Sequence, residues 1–295
     1  MKSKAWMEKF MQVVFLVAAC ASVLAVALIC VFLFANGIPA MKEIGFLKFL
    51  TGEQWKPGND IYGIFPMIIG SIYVTAGAIL VGVPIGILTS VFMAFYCPKK
   101  IYRPLKSATE LLSGIPSVIY GFFGLVVMVP VVKEIGSVLR DMGIIDYTAK
   151  GNSMLTASLL LGIMILPTII GVTESSLRAV PSHYYEGALA LGATHERSTF
   201  CIILPAAKSG VVSGVVLGVG RAIGETMAVI MVAGNQAKLP EGLFKGVRTL
   251  TANIVIEMGY ASGLHREALI ATGVVLFVFV LLINFCASLL NKGGE

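Results

Sequence analysis

A chain of 295 residues that is 57% hydrophobic and 13% charged falls well below the roughly 25% charge of an ordinary soluble domain. Its apolar residues come in runs of about 20, the length that crosses a bilayer, which excludes the soluble globular class and makes lipid the solvent. The formal charge of +6 lies mainly between those runs, where Lys and Arg act as topology signals and lipid-headgroup contacts rather than as a nucleic-acid surface.

The first apolar run, 11–35, follows a basic start (Lys2, Lys4, Lys9). It exceeds the 7 to 15 or so residues of a secretory signal core and is predicted to stay in the membrane. Further runs at 67–96, 108–132, 154–172, 211–233 and 268–290 are each long enough to span about 30 Å at roughly 1.5 Å per residue. The expected fold is an all-α integral membrane protein of six transmembrane helices. An even count puts both termini on one side. The basic loop 97–107 (Lys99, Lys100, Arg103, Lys106) shares that side, and the positive-inside rule makes it cytoplasmic. Outer segments 36–66, 133–153 and 234–267 are long enough for short interfacial helices.

Pro84, Pro116, Pro130 and Pro167 interrupt or end the runs. Such breaks are either ordinary kinks or persist because neighbouring groups satisfy the freed carbonyls in a packed bundle. Glu110, near the inner end of the third run, either reaches the headgroups or has a functional part. Ser117 and Tyr120 either line a polar path or satisfy their own backbone. Cys20, Cys30, Cys97, Cys201 and Cys286 have the spacing of neither a disulfide framework nor a zinc site.

The inner segment 174–208 contains PSHYYEGALALGATHERSTFCIILP from Pro181. Ser182 reads as an N-cap, with a helix over 183–191 stopped by Gly192. Thr194 starts a second helix with Glu196 near its positive end, and Pro205 breaks the chain before the next span. A helix, a glycine turn and a second helix between two spans make a knob that a soluble partner can grip.

The fifth run, VVSGVVLGVGRAIGETMAVIMVAG, holds Arg221 and Glu225 near its middle, where a charge costs about 2.5 to 3.5 kcal/mol on insertion scales. At about 100° per residue, Gly210, Gly214, Gly218, Arg221 and Glu225 fall in one stripe roughly 80° wide. The glycines admit a second helix, so the charges face protein or water. Spaced four apart, Arg221 and Glu225 are expected to form an intrahelical ion pair. The pair either stabilises a subunit interface or serves an anion pathway, with Arg221 offering its planar fork to oxyanion oxygens and Glu225 gating.

The knob resembles the cytoplasmic loop of ATP-binding-cassette (ABC) importer permeases. That pattern is Glu-Ala-Ala, three residues, Gly, nine residues, then Ile-x-Leu-Pro. Here Glu186, Ala188, Gly192, Ile202, Leu204 and Pro205 stand in register, with Gly187 in place of the middle Ala. The resemblance implies a type I importer permease fold of the MetI-like kind. It divides the chain into an N-terminal helix with its outer segment, 1–66, and a permease core, 67–295, whose coupling helix fits a cleft on an ATPase subunit.

FLTGEQWKPGNDIYGIFPMIIGS, ELLSGIPSVIYGFFGL and GVGRAIGETMAV are similar to the phosphate-specific (Pst) branch. The Trp55, Pro57, Tyr62, Gly63 and Pro66 segment favours one of its two related permeases over the sister. The implied partners are a second permease (PstA type), two ATPases (PstB type), an external phosphate-binding protein (PstS type) and membrane lipid, in the plasma (inner) membrane.

The chain has no G-x-x-x-x-G-K-[ST] loop and no Gly-Lys dipeptide, so it is expected not to be an enzyme, to bind no cofactor and no metal, and to depend on ATP used by a partner. Another oxyanion such as sulfate or molybdate, the sister permease, a secondary transporter and a membrane sensor remain as alternatives.

Overall fold

The computed structural model describes the backbone of residues 2–292 and the side chains of 7–286; the side chains of Lys2 and Lys4 lie outside the described residues. Helix α1 (Lys2–Ile44) leads to α2 (Phe46–Thr51) and to a hairpin of β1 (Trp55–Lys56) and β2 (Ile61–Tyr62), with Trp55 opposite Tyr62. Next come α3 (Phe65–Val91), extended by a π-helical segment Phe92–Tyr96, then α4 (Lys99–Gly114). Helix α5 (Ser117–Phe123) continues through a π-helical segment, Gly124–Met128, into α6 (Val129–Asp141), and α7 (Met154–Ala179) follows. The knob comprises α8 (Ser182–Ala190), α9 (His195–Ser198), a π-helical segment Thr199–Ile203 and α10 (Leu204–Ala206). The chain then forms α11 (Lys208–Gly224), α12 (Met227–Val232), α13 (Leu250–Met258) and α14 (Gly263–Lys292).

Among the described residues five helical stretches are long and apolar enough to cross a membrane: Met7–Ile44, Phe65–Tyr96, Ser117–Asp141, Met154–Ala179 and Gly263–Cys286. A sixth crossing exists where His195–Ala206 and Lys208–Gly224, bent by 71°, count as one span.

Several expected boundaries move, each for a local reason. Residues 36–44, expected in an outer segment, continue α1 through Pro39 because Gly37, Ala40 and Met41 pack on α14. Ala40 and Met41 are buried, and a Cβ on Gly37 would stand 3.1 Å from Ala271 Cα. Most of the basic loop 97–107 is helical, residues 99–107 being the first half of α4. The third span starts at Ser117 rather than 108, because Pro116 forces Ile115 into an extended conformation, φ −69° and ψ 126°. Glu110 therefore sits on α4, outside that span. The fourth span runs past 172 to Ala179, which makes Glu174 helical.

Helix α7 is the axis of the bundle. On one side α3 approaches through small residues: a Cβ added to Gly82 would lie 2.7 Å from Ile165 Cδ1, and one on Gly86 2.7 Å from Ile169 Cγ2. On the other side α11 packs through its own glycines. Ala78, Leu160, Leu161, Met164, Ile165 and Ile169 form the buried centre with Ala228 and Val232 of α12. By contrast α1 is apolar all round and exposed at every residue from Met7 to Ile29, the surface expected of a helix solvated by lipid.

A second cluster closes one end of the bundle. Glu257, 5% exposed, accepts from Trp55 Nε1 at 2.8 Å, Arg248 Nη1 at 2.6 Å and His265 Nε2 at 2.9 Å. One carboxylate thus joins the hairpin, α13 and the start of α14. Beside it the Tyr62 phenol has a raised pKa, from burial first and then from Asp60.

Candidate anion pathway and coupling site

The glycine face of α11 lies on α7. Gly210 meets Ser176, a Cβ on Gly214 would stand 3.1 Å from Thr173 Oγ1, and one on Gly218 would stand 2.9 Å from Ile169 Cγ1. Arg221 continues this face. Its Nη1 donates to Thr168 Oγ1 on α7 at 3.4 Å, a long bond that engages one of five guanidinium donors. Among the described residues no carboxylate lies within ion-pair distance of Arg221. A half-buried arginine with most of its fork unclaimed, on a wall of small residues, is chemically suited to an oxyanion.

The expected Arg221–Glu225 ion pair does not form, and the fifth span is not one helix to 233. Helix α11 stops at Gly224, and Glu225 adopts ψ 133°, which turns its side chain off the stripe. Its Oε1 accepts from the backbone amides of Thr226 at 3.0 Å and Ala228 at 3.3 Å, while its carbonyl accepts from Thr251 Oγ1 at 3.0 Å. Helical spacing holds only while the helix does, and here a carboxylate takes over the first amides of a new one. Glu225 caps α12 at a break in the span.

In the knob, α8 begins one residue earlier than expected, with Pro181 at the N-cap position and Ser182 inside the helix. Gly192 has φ +85°, the left-handed value that glycine adopts without strain. Around it Gly192 N donates to Leu189 O at 2.9 Å and Ala193 N to Ala188 O at 3.0 Å, the two bonds of a Schellman stop. Thr194 Oγ1 accepts from Arg197 N and caps α9.

Ala188 is buried, whereas Glu186, Gly187 and Gly192 are exposed. A Cβ on Gly187 would meet nothing, so its departure from alanine leaves the local fold unchanged. Ile202 and Leu204 are half-buried and Pro205 is exposed just before the 71° bend. Around the buried Ala188, Tyr184 and Leu189 of α8 and the 91% exposed Leu191 just past its end are left uncovered. His195 holds α8 to the body: its Nδ1 meets Tyr185 Oη, and its ring stands edge-on to Tyr96 with centroids 4.6 Å apart.

Sequence reasoning missed a third cluster next to the knob. Glu174, 1% exposed, accepts from Tyr102 Oη at 2.6 Å, Lys106 Nζ at 2.8 Å and Arg178 Nε at 2.9 Å. The Lys106 pKa is raised, chiefly by the bond to Glu174, and the Tyr102 pKa is raised for the same first reason. The i, i+4 spacing of Glu174 and Arg178 was a legible signal. Lys106 and Tyr102 lie far away in sequence and gave none.

Residues 82–293 match the family described as binding-protein-dependent transport system inner membrane component. Over 261 residues the chain is 38% identical to the phosphate transport system permease protein PstC of Mesorhizobium japonicum, which covers 85% of this chain and 80% of the relative. It is 34% identical to the PstC protein of Haemophilus influenzae, covering 98% of this chain and 94% of that one. A chain of the MetNI methionine ABC transporter, solved in inward-facing conformations, superposes with a TM-score of 0.59 at 19% identity over 82% of this chain and 100% of its own length, a likeness of fold. With that fold and with a family match across its bundle, the chain belongs to the binding-protein-dependent transport system inner membrane components.

Proposed function

We propose that this multi-pass inner-membrane chain is the phosphate-translocating permease subunit of a PstC-like ABC importer, and that Arg221 is its anion contact. The observation that carries the reading is the half-buried guanidinium, which among the described residues has no carboxylate partner and lies on the glycine wall between α11 and α7. Phosphate delivered by an external binding protein meets that fork, whose several donors match oxyanion oxygens and stay charged at every working pH.

Nucleotide is bound and hydrolysed by separate ATPase subunits, one of which grips α8 through Tyr184, Leu189 and Leu191, with Glu186 and Gly192 setting the ends of the contact. A sister permease supplies the other wall of the pathway. Because α9 and α10 lead through the bend at Ala207 directly into α11, a displacement of the knob reaches Arg221 along one connected run of chain. The termini, α4 and the knob face the cytoplasm in this reading.

The test is reconstitution with sister permease, ATPase and binding protein in proteoliposomes. ATP-dependent phosphate uptake stimulated by the binding protein is expected. Arg221→Gln abolishes it while the complex still assembles. Uptake that persists in this variant overturns the role of Arg221, and loss of assembly makes the residue an interface group instead.

A further inference from the structure

We propose that Tyr102, Lys106, Glu174 and Arg178 form a clamp that passes movement of the knob to α4 and onward to α12, with Glu174 as its positioning residue. The proposal rests on α8 being the ATPase contact. Arg178 lies four residues before the start of α8, and its side chain reaches three elements. Nε bonds Glu174 at 2.9 Å, Nη2 donates to Met93 O of the π-helical end of α3 at 2.9 Å, and the guanidinium stands 4.7 Å over the Tyr102 ring of α4. Glu174 joins the same α4 residue and Lys106 through two further charge-assisted bonds.

Helix α4 contains no buried residue. Its attachment to α7 is therefore polar and directional rather than a hydrophobic core, and it depends on one buried carboxylate. At its far end Leu112 O accepts from Tyr120 Oη of α5 at 2.8 Å. Helix α5 in turn rests on α12, where a Cβ on Gly121 would stand 3.0 Å from Ala228 Cα. Ala228 is the residue whose amide Glu225 caps.

Two physical connections thus lead from the knob to the two sides of the break at 224–226. One runs through α10 and α11 to Arg221. The other runs through the clamp, α4 and α5 to α12. Moving both sides together carries Arg221 and α12 as one body, whereas moving one alone opens or shears the break. Three charge-assisted bonds that converge on one buried carboxylate hold α4 and α7 in a fixed relation, so displacement is passed between them, and the network fails as a unit when its shared acceptor is lost.

The experiment compares phosphate uptake with ATP hydrolysis for the full transporter in proteoliposomes. For Glu174→Gln, the amount of assembled complex and the ATP hydrolysis are expected to persist. Phosphate moved per ATP falls by about tenfold or more, within the usual range of coupling between sites. Tyr102→Phe keeps the ion pairs and is expected to lower the ratio less. If Glu174→Gln fails to assemble, Lys106→Met, at a partly exposed position, is read by the same ratio.

Uptake and hydrolysis that fall in parallel with the amount of complex would make the cluster merely structural, and an unchanged ratio would also overturn the clamp. A control variant, Leu191→Glu at the C-terminal end of α8, separates the two readings. If it leaves ATPase association intact, the α8 assignment fails. If it abolishes association while Glu174→Gln leaves the ratio unchanged, the clamp alone fails.

Discussion

Glu225 stands four residues from Arg221, yet its carboxylate is engaged by backbone amides rather than by the guanidinium. Side-chain caps contribute roughly 1 kcal/mol, with Ala removing the acceptor and a residue that retains one costing less. Glu225→Ala is therefore expected to speed hydrogen exchange at the amides of Thr226 and Ala228 by about fivefold, while Glu225→Gln stays near the parent. Equal exchange in the two variants would show that the cap does not hold the start of α12.

Lys106 gives a complementary expectation from its raised pKa. A cation favoured by the fold contributes fully below its unfolded value, about 10.4, and loses that contribution only as pH rises through its higher folded value. Protection of the α4 amides, corrected for intrinsic exchange, should accordingly stay flat between about pH 7 and 9, below the lysine reference value. A decline within that window would mean that Lys106 is not held as described.

At the scale of elements, the α7–α11 contact depends on absent side chains. A Cβ on Gly210 would collide with Ser176, and overpacking of this kind costs about 1 to 3 kcal/mol. Gly210→Ala should lower the thermal midpoint of the solubilised complex. Adding Ser176→Gly should recover most of the loss, because the second change vacates the space the first one fills. A double variant no better than the single one would place the strain elsewhere.

This contact was legible in the sequence, since a four-residue glycine repeat is also a surface repeat on a helix. The knob was legible for a related reason: Gly192 and Thr194 act locally, through φ and through a cap, and local chemistry survives whatever surrounds it. The break at Glu225 was not legible, because apolar content continues across it and the tie that holds it, from Thr251, comes from 26 residues away. Residues 36–44 were misplaced in the same way. Packing of Gly37, Ala40 and Met41 on α14 carries the helix on past residue 35, where the apolar run ends, and through Pro39.

The whole molecule sorts these elements to two ends. The last turns of α3 and α7, together with α4 and the knob, meet through Arg178 and Glu174. At the opposite end the start of α7 meets the 234–249 segment, with Met154 N donating to Lys245 O and Leu155 N to Leu243 O, both at 2.9 Å, and the hairpin joins α13 and α14 at Glu257.

Charge alone assigns the two ends weakly to their sides of the membrane, because Lys56, Lys150, Lys238, Lys245 and Arg248 populate the hairpin end while Lys99, Lys100, Arg103 and Lys106 populate the other. The reading of α8 as an ATPase contact decides more strongly, since nucleotide is cytoplasmic. Single cysteines placed in a background free of the five native ones give the measurement. Gly58→Cys and Lys238→Cys should react with a membrane-impermeant maleimide in intact cells, whereas Lys100→Cys and Arg197→Cys should react only after permeabilisation. The reverse pattern would put the knob outside the cell, beyond reach of any ATPase, and would remove the basis of the clamp and of the importer reading together.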